Sequence, residues 1–425
     1  MSKMKYSGVE WIGDIPNDWM ISKFRYTYNV QKAKLPTYLE DEFLDDTFPY
    51  LSMEYIRDNN LKPQYSRNGT FCKENELLLL WDGSNAGEII YTHPEGFASS
   101  TCAILRLKKS INSEFSKYFM KFLETKLREN TNGMGIPHID SKYLNNLIYL
   151  IPNNIEQKLI ANFLDKKVNE LDEVVKDLNK QIDIQNSYKK LIITEKVTEN
   201  QKYDIKVQNG KIKLTFQDEL KIFRIKDVLI GITDGTHGTF DRVNDGEYLL
   251  SAKNVFENGL FIGDNESMIS TKDYNKIIKC GYPRKNDLLM CCVGTVGRTM
   301  IYNESKSYAF QRSVLFLRCN NKVIPEFLNY TMNSNYMLEQ EKILINKSAQ
   351  DGLYQGTVKN MLLYLPSIEN QKQIVKYLDK KCSQIDKIIE DKQKQLDKIE
   401  EYKKSVIYEY VTGKKRVEGA EKLYG

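Results

Sequence analysis

The chain has 425 residues, too many for one ordinary core of about 100 to 200 residues, so two or more domains are expected. Its 41% hydrophobic and 11% aromatic content is enough for globular cores, yet no run approaches the roughly 20 apolar residues of a membrane helix. A net charge of +5, from 62 basic and 57 acidic residues, permits nucleic-acid binding without demanding it.

From the N-terminus, MSKMKYSGVEWIGDIP carries neither an apolar stretch behind its lysines nor a small-residue cleavage site, which predicts a cytoplasmic protein. Residues 1–151 then read as a first globular domain. Short runs dense in Leu, Ile, Tyr and Phe (Leu77 to Trp81, Glu88 to Tyr91, Ala103 to Leu107) alternate with Gly, Asn and Asp, the pattern of strands and turns. Ser113 to Arg128 has the mixed spacing of a short helix.

At Pro152 the period changes. Leu164, Val168, Leu171, Val175, Leu178 and Ile182 fall at alternating spacings of four and three, the seam of a coiled coil, so residues 152–200 are expected as one long helix. Asn153 is its capping candidate and Glu156 is placed to complete a capping box. Residues 201–365 return to short strands (Leu288 to Val293, Val314 to Arg318), with a helical stretch from Pro325 to Gln340. Residues 366–412 repeat the helix with a seam of Leu378, Cys382, Ile385, Ile389, Leu396 and Ile399, interrupted by Lys392. Ser367 is the cap there, and Asn370 replaces the Glu, so this cap should be weaker. Residues 413–425 form a tail.

The chain is therefore written twice. Pro152 to Thr198 aligns without a gap to Pro366 to Thr412, and twenty of these 47 pairs are identical. Upstream, NELLLLWDGSNAGEIIY from Asn75 pairs with NDLLMCCVGTVGRTMIY from Asn286, SMEYIRDNNL from Ser52 with SAKNVFENGL from Ser251, and Phe24-Arg25 with Phe223-Arg224. A helix of about 45 residues extends roughly 65 Å, longer than its own domain can cover, and its single narrow apolar stripe wants a partner helix. The other copy is the obvious one. The expected fold is α+β: two similar globular domains separated by two long antiparallel coiled-coil helices, related by an approximate internal two-fold axis. Two similar, inverted reading heads suit a two-part target on a duplex.

This layout resembles the specificity subunit of type I restriction-modification systems. SGVEWIGDIPNDW, from Ser7 to Trp19, is similar to the opening of many such subunits. IEQKLIANFLDKK after Pro152 and IENQKQIVKYLDKK after Pro366 resemble the starts of the family's two spacer helices. ITDGTHGTF, around Asp234 to Phe240, looks like a recurrent motif of its target-recognition domains, whereas the first domain reads NVQKAKLPTY near that region and receives no site from the motif. The resemblance implies a double-stranded DNA reader with one half-site per domain and no catalytic residue. Its helices would dock two methylation subunits that carry S-adenosylmethionine and methylate adenine. Two restriction subunits that use ATP and Mg would complete the nuclease.

Base edges are read chiefly by Arg and Lys on guanine and by Asn and Gln on adenine. In the second domain Thr236, His237, Lys253, Asn254, Arg298, Gln311 and Arg312 lie in or beside Gly-rich loops and strand ends. The corresponding or nearby positions of the first domain are Glu54, Tyr55, Arg57, Ser84, Asn85, Ser100 and Thr101, with His138 added. A solvated loop residue is the plainer explanation of any one of them, since phosphate and loop contacts outnumber base readers. Gly83 and Gly294 recur at matched places, where a tight turn explains them better than DNA does.

Seven cysteines without a Cys-x-x-Cys pair suggest reduced, mostly buried thiols, and three scattered histidines give no metal constellation. The sequence has no Walker-type loop, no strand-Gly-x-Gly-x-x-Gly-helix unit and no Asn-Pro-Pro-Tyr or Asp-Pro-Pro-Tyr run, so this chain is expected to bind no cofactor and no metal. Alternatives are a stand-alone nuclease built on Glu156-Gln157-Lys158, the recognition half of a fused restriction enzyme, and a coiled-coil protein scaffold.

Overall fold

The computed structural model describes residues 3–58, 60–91, 93–108, 111–133, 135–208, 211–345 and 352–418. Two compact units make up the chain, residues 1–178 with 394–425 and residues 179–393. Both divisions fall inside long helices, so the helices are shared between the units and are not segments of their own. Residues 419–425 of the tail lie outside the described residues.

In the first unit, strands β1 (Tyr28–Lys32), β2 (Phe48–Leu51), β3 (Leu77–Leu80), β4 (Ile89–Ile90), β5 (Gly96–Ala98) and β6 (Cys102–Leu107) precede helices α1 (Ser113–Glu129) and α2 (Ser141–Asn146). An antiparallel sheet runs in the order β1-β6-β3-β4, and β5 pairs parallel to β2. Every leucine of β3 is buried, so the strand reads as a continuous apolar run rather than an alternation. Just before β3 the chain turns through Asn75 at φ 65°, the left-handed region that Asn tolerates. The Asn112 side chain caps α1 by accepting from Phe115 N–H, and the helix buries Phe115, Phe119, Met120, Leu123 and Leu127. These join Trp19, Phe24 and Tyr149 in one core.

The second unit repeats this plan with β7 (Leu229–Asp234), β8 (Glu247–Leu250), β9 (Leu288–Cys291), β10 (Thr299–Ile301), β11 (Ala309–Phe310) and β12 (Val314–Cys319). Its sheet order is β7-β12-β9-β10, and β11 pairs parallel to β8. Asn286, at φ 71°, makes the turn before β9. An ion pair ties the start of the central strand to its neighbour in both units: Arg106 to Glu76 at 2.9 Å and Arg318 to Asp287 at 2.7 Å.

The long helices are α3 (Asn154–Val197) and α4 (Ile368–Val411), each of 44 residues. Asn153 Oδ1 caps α3 by accepting from the N–H groups of Ile155 and Glu156, whereas Ser367 Oγ accepts from Asn370 N–H alone. In the first unit Phe163 stacks near Tyr410, with ring centroids 4.3 Å apart, and Lys403 Nζ meets Asp172 at 2.5 Å. In the second unit Lys196 Nζ lies 5.2 Å from the centre of the Tyr377 ring, and Lys189 Nζ meets Asp386 at 2.7 Å. Positions rise on one helix as they fall on the other, so the pairing is antiparallel. Residues 214 apart in sequence also exchange roles: Asp172 is to Lys403 as Asp386 is to Lys189. The same contact is thus built once in each unit, as an internal repeat requires.

Each globular core also uses both helices. Ile160, Ala161 and Leu164 enter the first core together with Val406, Ile407 and Val411. Val375 and Leu378 enter the second together with Ile192, Ile193 and Val197. Matched hydroxyl contacts pin the helix starts, Tyr118 to Asp165 at 2.6 Å and Tyr330 to Asp379 at 2.8 Å. Lys392, the break in the second seam, turns its ammonium to Gln181. Cys72, Cys102, Cys291, Cys292 and Cys382 are unpaired and buried.

Candidate nucleic-acid interface

Antiparallel pairing brings strand ends that are remote in sequence to one edge of each unit. In the first unit β1 ends at Lys32 opposite Ala103, and Cys102 opposes Leu80. Beyond β3 the N–H groups of Trp81 and Asp82 donate to Thr101 O at 2.7 and 3.2 Å, and Gly83 N–H donates to Pro137 O at 2.9 Å. Gly83 adopts φ 116°, which a side chain would strain, and its counterpart Gly294 adopts φ 80°. This edge collects Ser84, Asn85, Ser100, Thr101 and His138, of which Ser84 and His138 are exposed. Lys32 Nζ meets Asp82 Oδ2 at 3.0 Å and faces the Trp81 ring.

Glu54, Tyr55 and Arg57 lie on a short helix capped by Ser52. Arg57 reaches Glu88 Oε2 at 2.5 Å, in the turn that holds Ser84 and Asn85. Both cations, Arg57 and Lys32, are thus paired with carboxylates. Glu54 remains exposed.

In the second unit Asp234 ends β7 opposite Leu315. Thr236 N–H donates to Phe310 O at 2.7 Å, Gln311 N–H to Leu250 O at 2.8 Å and Arg312 N–H to Thr236 O at 3.0 Å. A Cβ on Gly235 would lie 2.2 Å from Gln311 O, so this approach needs glycine. Asp234 Oδ2 contacts His237 Nε2 at 2.6 Å. Leu353 N–H donates to Cys292 O at 2.9 Å, which seats Tyr354 and Gln355 at the start of a short helix, Gln355–Val358. One cleft is consequently lined by Asp234, His237, Gln311, Arg312, Tyr354 and Gln355.

Lys253, Asn254 and Arg298 belong to a different group. Asn254 is buried and donates to Phe261 O at 3.1 Å and to Glu266 at 2.5 Å. Lys253 pairs with the same carboxylate at 2.9 Å. Burial would push the Glu266 carboxyl up, but these bonds and the Ser267 N–H outweigh it and hold the group below its usual value. Arg298 donates to Val255 O at 3.0 Å and lies over the Phe256 ring. The three residues that look like base readers in sequence brace a loop here.

The strand registers revise one correspondence. Leu77 opposes Leu105 as Leu288 opposes Leu317, which sets Arg312 against Ser100 and Gln311 against Ser99. The ungapped alignment that joins Asn75 to Asn286 pairs Gln311-Arg312 with Ser100-Thr101, one residue off, because the loops between the paired strands differ in length. By the same register Lys32 occupies the place of Asp234, so the first unit has a cation where the second has a carboxylate. Glu88 and Arg298 are a second inversion, since each supplies the carbonyl that receives the N–H at the end of its central strand. Lys32, Asp82, Tyr354 and Gln355 were not singled out in the sequence. Only pairing across the sheet reveals them.

Glu156, the carboxylate of the nuclease alternative, is fully buried. It accepts from Trp19 Nε1 at 3.0 Å and from Arg416 at 3.0 and 3.1 Å. Its position is that of a structural anchor, closed to a substrate.

Comparison with known proteins agrees with this architecture. The family model of the type I restriction modification DNA specificity domain matches twice, at residues 16–184 and 217–401. The chain is 29% identical to the type I restriction enzyme MjaVIII specificity subunit of Methanocaldococcus jannaschii, over 95% of this chain and 94% of that protein. It is 22% identical to the EcoBI specificity subunit of Escherichia coli, over 79% of this chain and 73% of that one. A solved chain from work on the complex assembly and conformational transition of the type I R-M system shares the fold, with a TM-score of 0.58 over 94% of this chain and 99% of that one at 16% identity. With both copies matched over most of its length, the chain belongs to the type I restriction modification DNA specificity family.

Proposed function

We propose that this chain is the target-reading subunit of a type I restriction-modification complex and performs no chemistry itself. Each unit reads one part of a bipartite duplex, and separate subunits carry out adenine methylation and restriction. The observation that carries the reading is the repetition of one strand-end edge furnished with unlike polar side chains: Ser100, Thr101 and His138 in one unit, Gln311, Arg312 and Gln355 in the other. A common scaffold with different side chains is what two different half-sites require.

The helices supply docking surfaces for two methylation subunits. Large side chains stay exposed at matched positions of both copies, Val174 at 46% with Ile388 at 43%, and Tyr188 and Tyr402 at 50% each. S-adenosylmethionine belongs to those partners, and ATP and Mg to two restriction subunits. No helix among the described residues is long and apolar enough to cross a membrane.

Purified chain incubated with duplex DNA, S-adenosylmethionine and magnesium should neither methylate nor cleave, and adding the methylation subunit should produce methyladenine. Methyl transfer or cleavage by the clean chain alone would refute the division of labour.

A further inference from the structure

We propose that Arg312 reads a guanine in the part of the target contacted by the second unit, an inference that rests on the DNA-reading function above. Arg312 is exposed, and its guanidinium has no hydrogen-bond or ion-pair partner among the described residues. Its backbone is fixed on both sides: the N–H donates to Thr236 O at 3.0 Å, and the carbonyl accepts from Cys292 Sγ at 3.2 Å. Only side-chain torsions remain to be ordered on binding. The arginines of the other two candidate clusters are committed, Arg57 to Glu88 and Arg298 to the Val255 carbonyl.

The surroundings favour a base edge over a phosphate. Arg312 shares its cleft with the Asp234 carboxylate, which would repel a phosphate. A G·C pair suits both charges, because guanine presents the O6 and N7 acceptors that a guanidinium fork matches and cytosine presents an N4 donor that a carboxylate accepts. Gln311, in the same cleft, provides an amide of the kind that reads adenine, whereas the Gln355 amide donates to Ile232 O. The matched position of the first unit is Ser100, whose hydroxyl cannot make the bidentate contact. The guanine preference therefore belongs to one half of the target.

The test is selection from a randomised duplex library by the full chain bound to its methylation subunit. Wild type should enrich a motif with an invariant guanine in one half. Arg312→Ala should lower the preference for guanine at that single position roughly ten- to a hundredfold and leave the other half unchanged. Arg312→Gln, which keeps a polar side chain, should shift the same position towards adenine. Because the side chain is exposed and its guanidinium bonds to no described residue, both variants should melt like wild type. Unchanged selectivity would overturn the proposal. So would uniform weakening at all sequences with a salt slope reduced by about one, the signature of a phosphate contact. If wild type itself selected no two-part motif, the functional reading beneath the proposal would fail, a result distinct from either of these.

Discussion

Replacing Arg416 with alanine should destabilise the first unit by about 3 to 5 kcal/mol, the range for breaking a buried ion pair from one side. Glu156 is fully buried at the start of α3, and the Arg416 side chain is 9% exposed. Arg416 holds that carboxylate with two nitrogens and reaches Asp18 Oδ2 at 2.5 Å. Removing the guanidinium leaves a charge in the interior with its main counter-charge gone. Around it the chain ends are clasped, since Lys414 Nζ donates to Asp14 O at 2.5 Å and Gly413 turns at φ 70° against Pro16 and Trp19.

The repeat supplies the control. At the position matching Glu156 the second unit has Asn370, whose amide donates to Glu199 at 3.0 Å, so Asn370→Ala should cost only about 1 kcal/mol. Denaturant titration compares the two variants directly. A double variant, Glu156→Gln with Arg416→Gln, should recover much of the loss, because neither charge then remains buried alone. An Arg416→Ala protein as stable as wild type would show that the clasp contributes nothing.

Exchanging residues up to Ile151 for the first domain of a relative should re-specify one half of the target and leave the other as it was. Each mismatched base pair costs about 1 to 3 kcal/mol, so three altered pairs should weaken binding to the old target by more than about a hundredfold. The junction tells which contacts a chimera must keep. Trp19 bonds Glu156, Asn112 N–H donates to Gln157 Oε1 at 2.8 Å, and Tyr118 bonds Asp165. A donor domain with these three contacts should seat on α3 as the native one does. The second unit repeats the glutamine contact, with Ile324 N–H donating to Gln371 Oε1 at 2.9 Å, and nothing in the exchange disturbs it. Maps of methylated adenine in cells expressing the chimera measure the outcome. Changes in both halves would mean that the units do not read independently.

The helices and the duplication were legible because they are periodic. A heptad seam such as Leu164 to Ile182 declares itself locally, and a repeat needs only comparison of the chain with itself. The strand runs were equally plain, since buried β3 and β9 read as short apolar stretches. What the sequence could not show is which strand ends meet. Lys32, Asp82, Thr101 and His138 form one edge through ladders and loops that join residues far apart in the chain. Lys253 and Asn254 have the right side chains for base edges, yet the Glu266 carboxylate bonds both. Helix ends look like domain limits in the sequence, but Val406, Ile407 and Val411 complete the first core from the far end of the chain. Such a contact leaves no local trace.

The most direct measurement of the central claim is a genome-wide map of methylated adenine in cells carrying this chain with its methylation subunit. Two unlike specified sequences separated by an unspecified gap are expected, because the two units repeat one edge with different side chains. A single uninterrupted motif, or two halves that are inverted copies of each other, would contradict it.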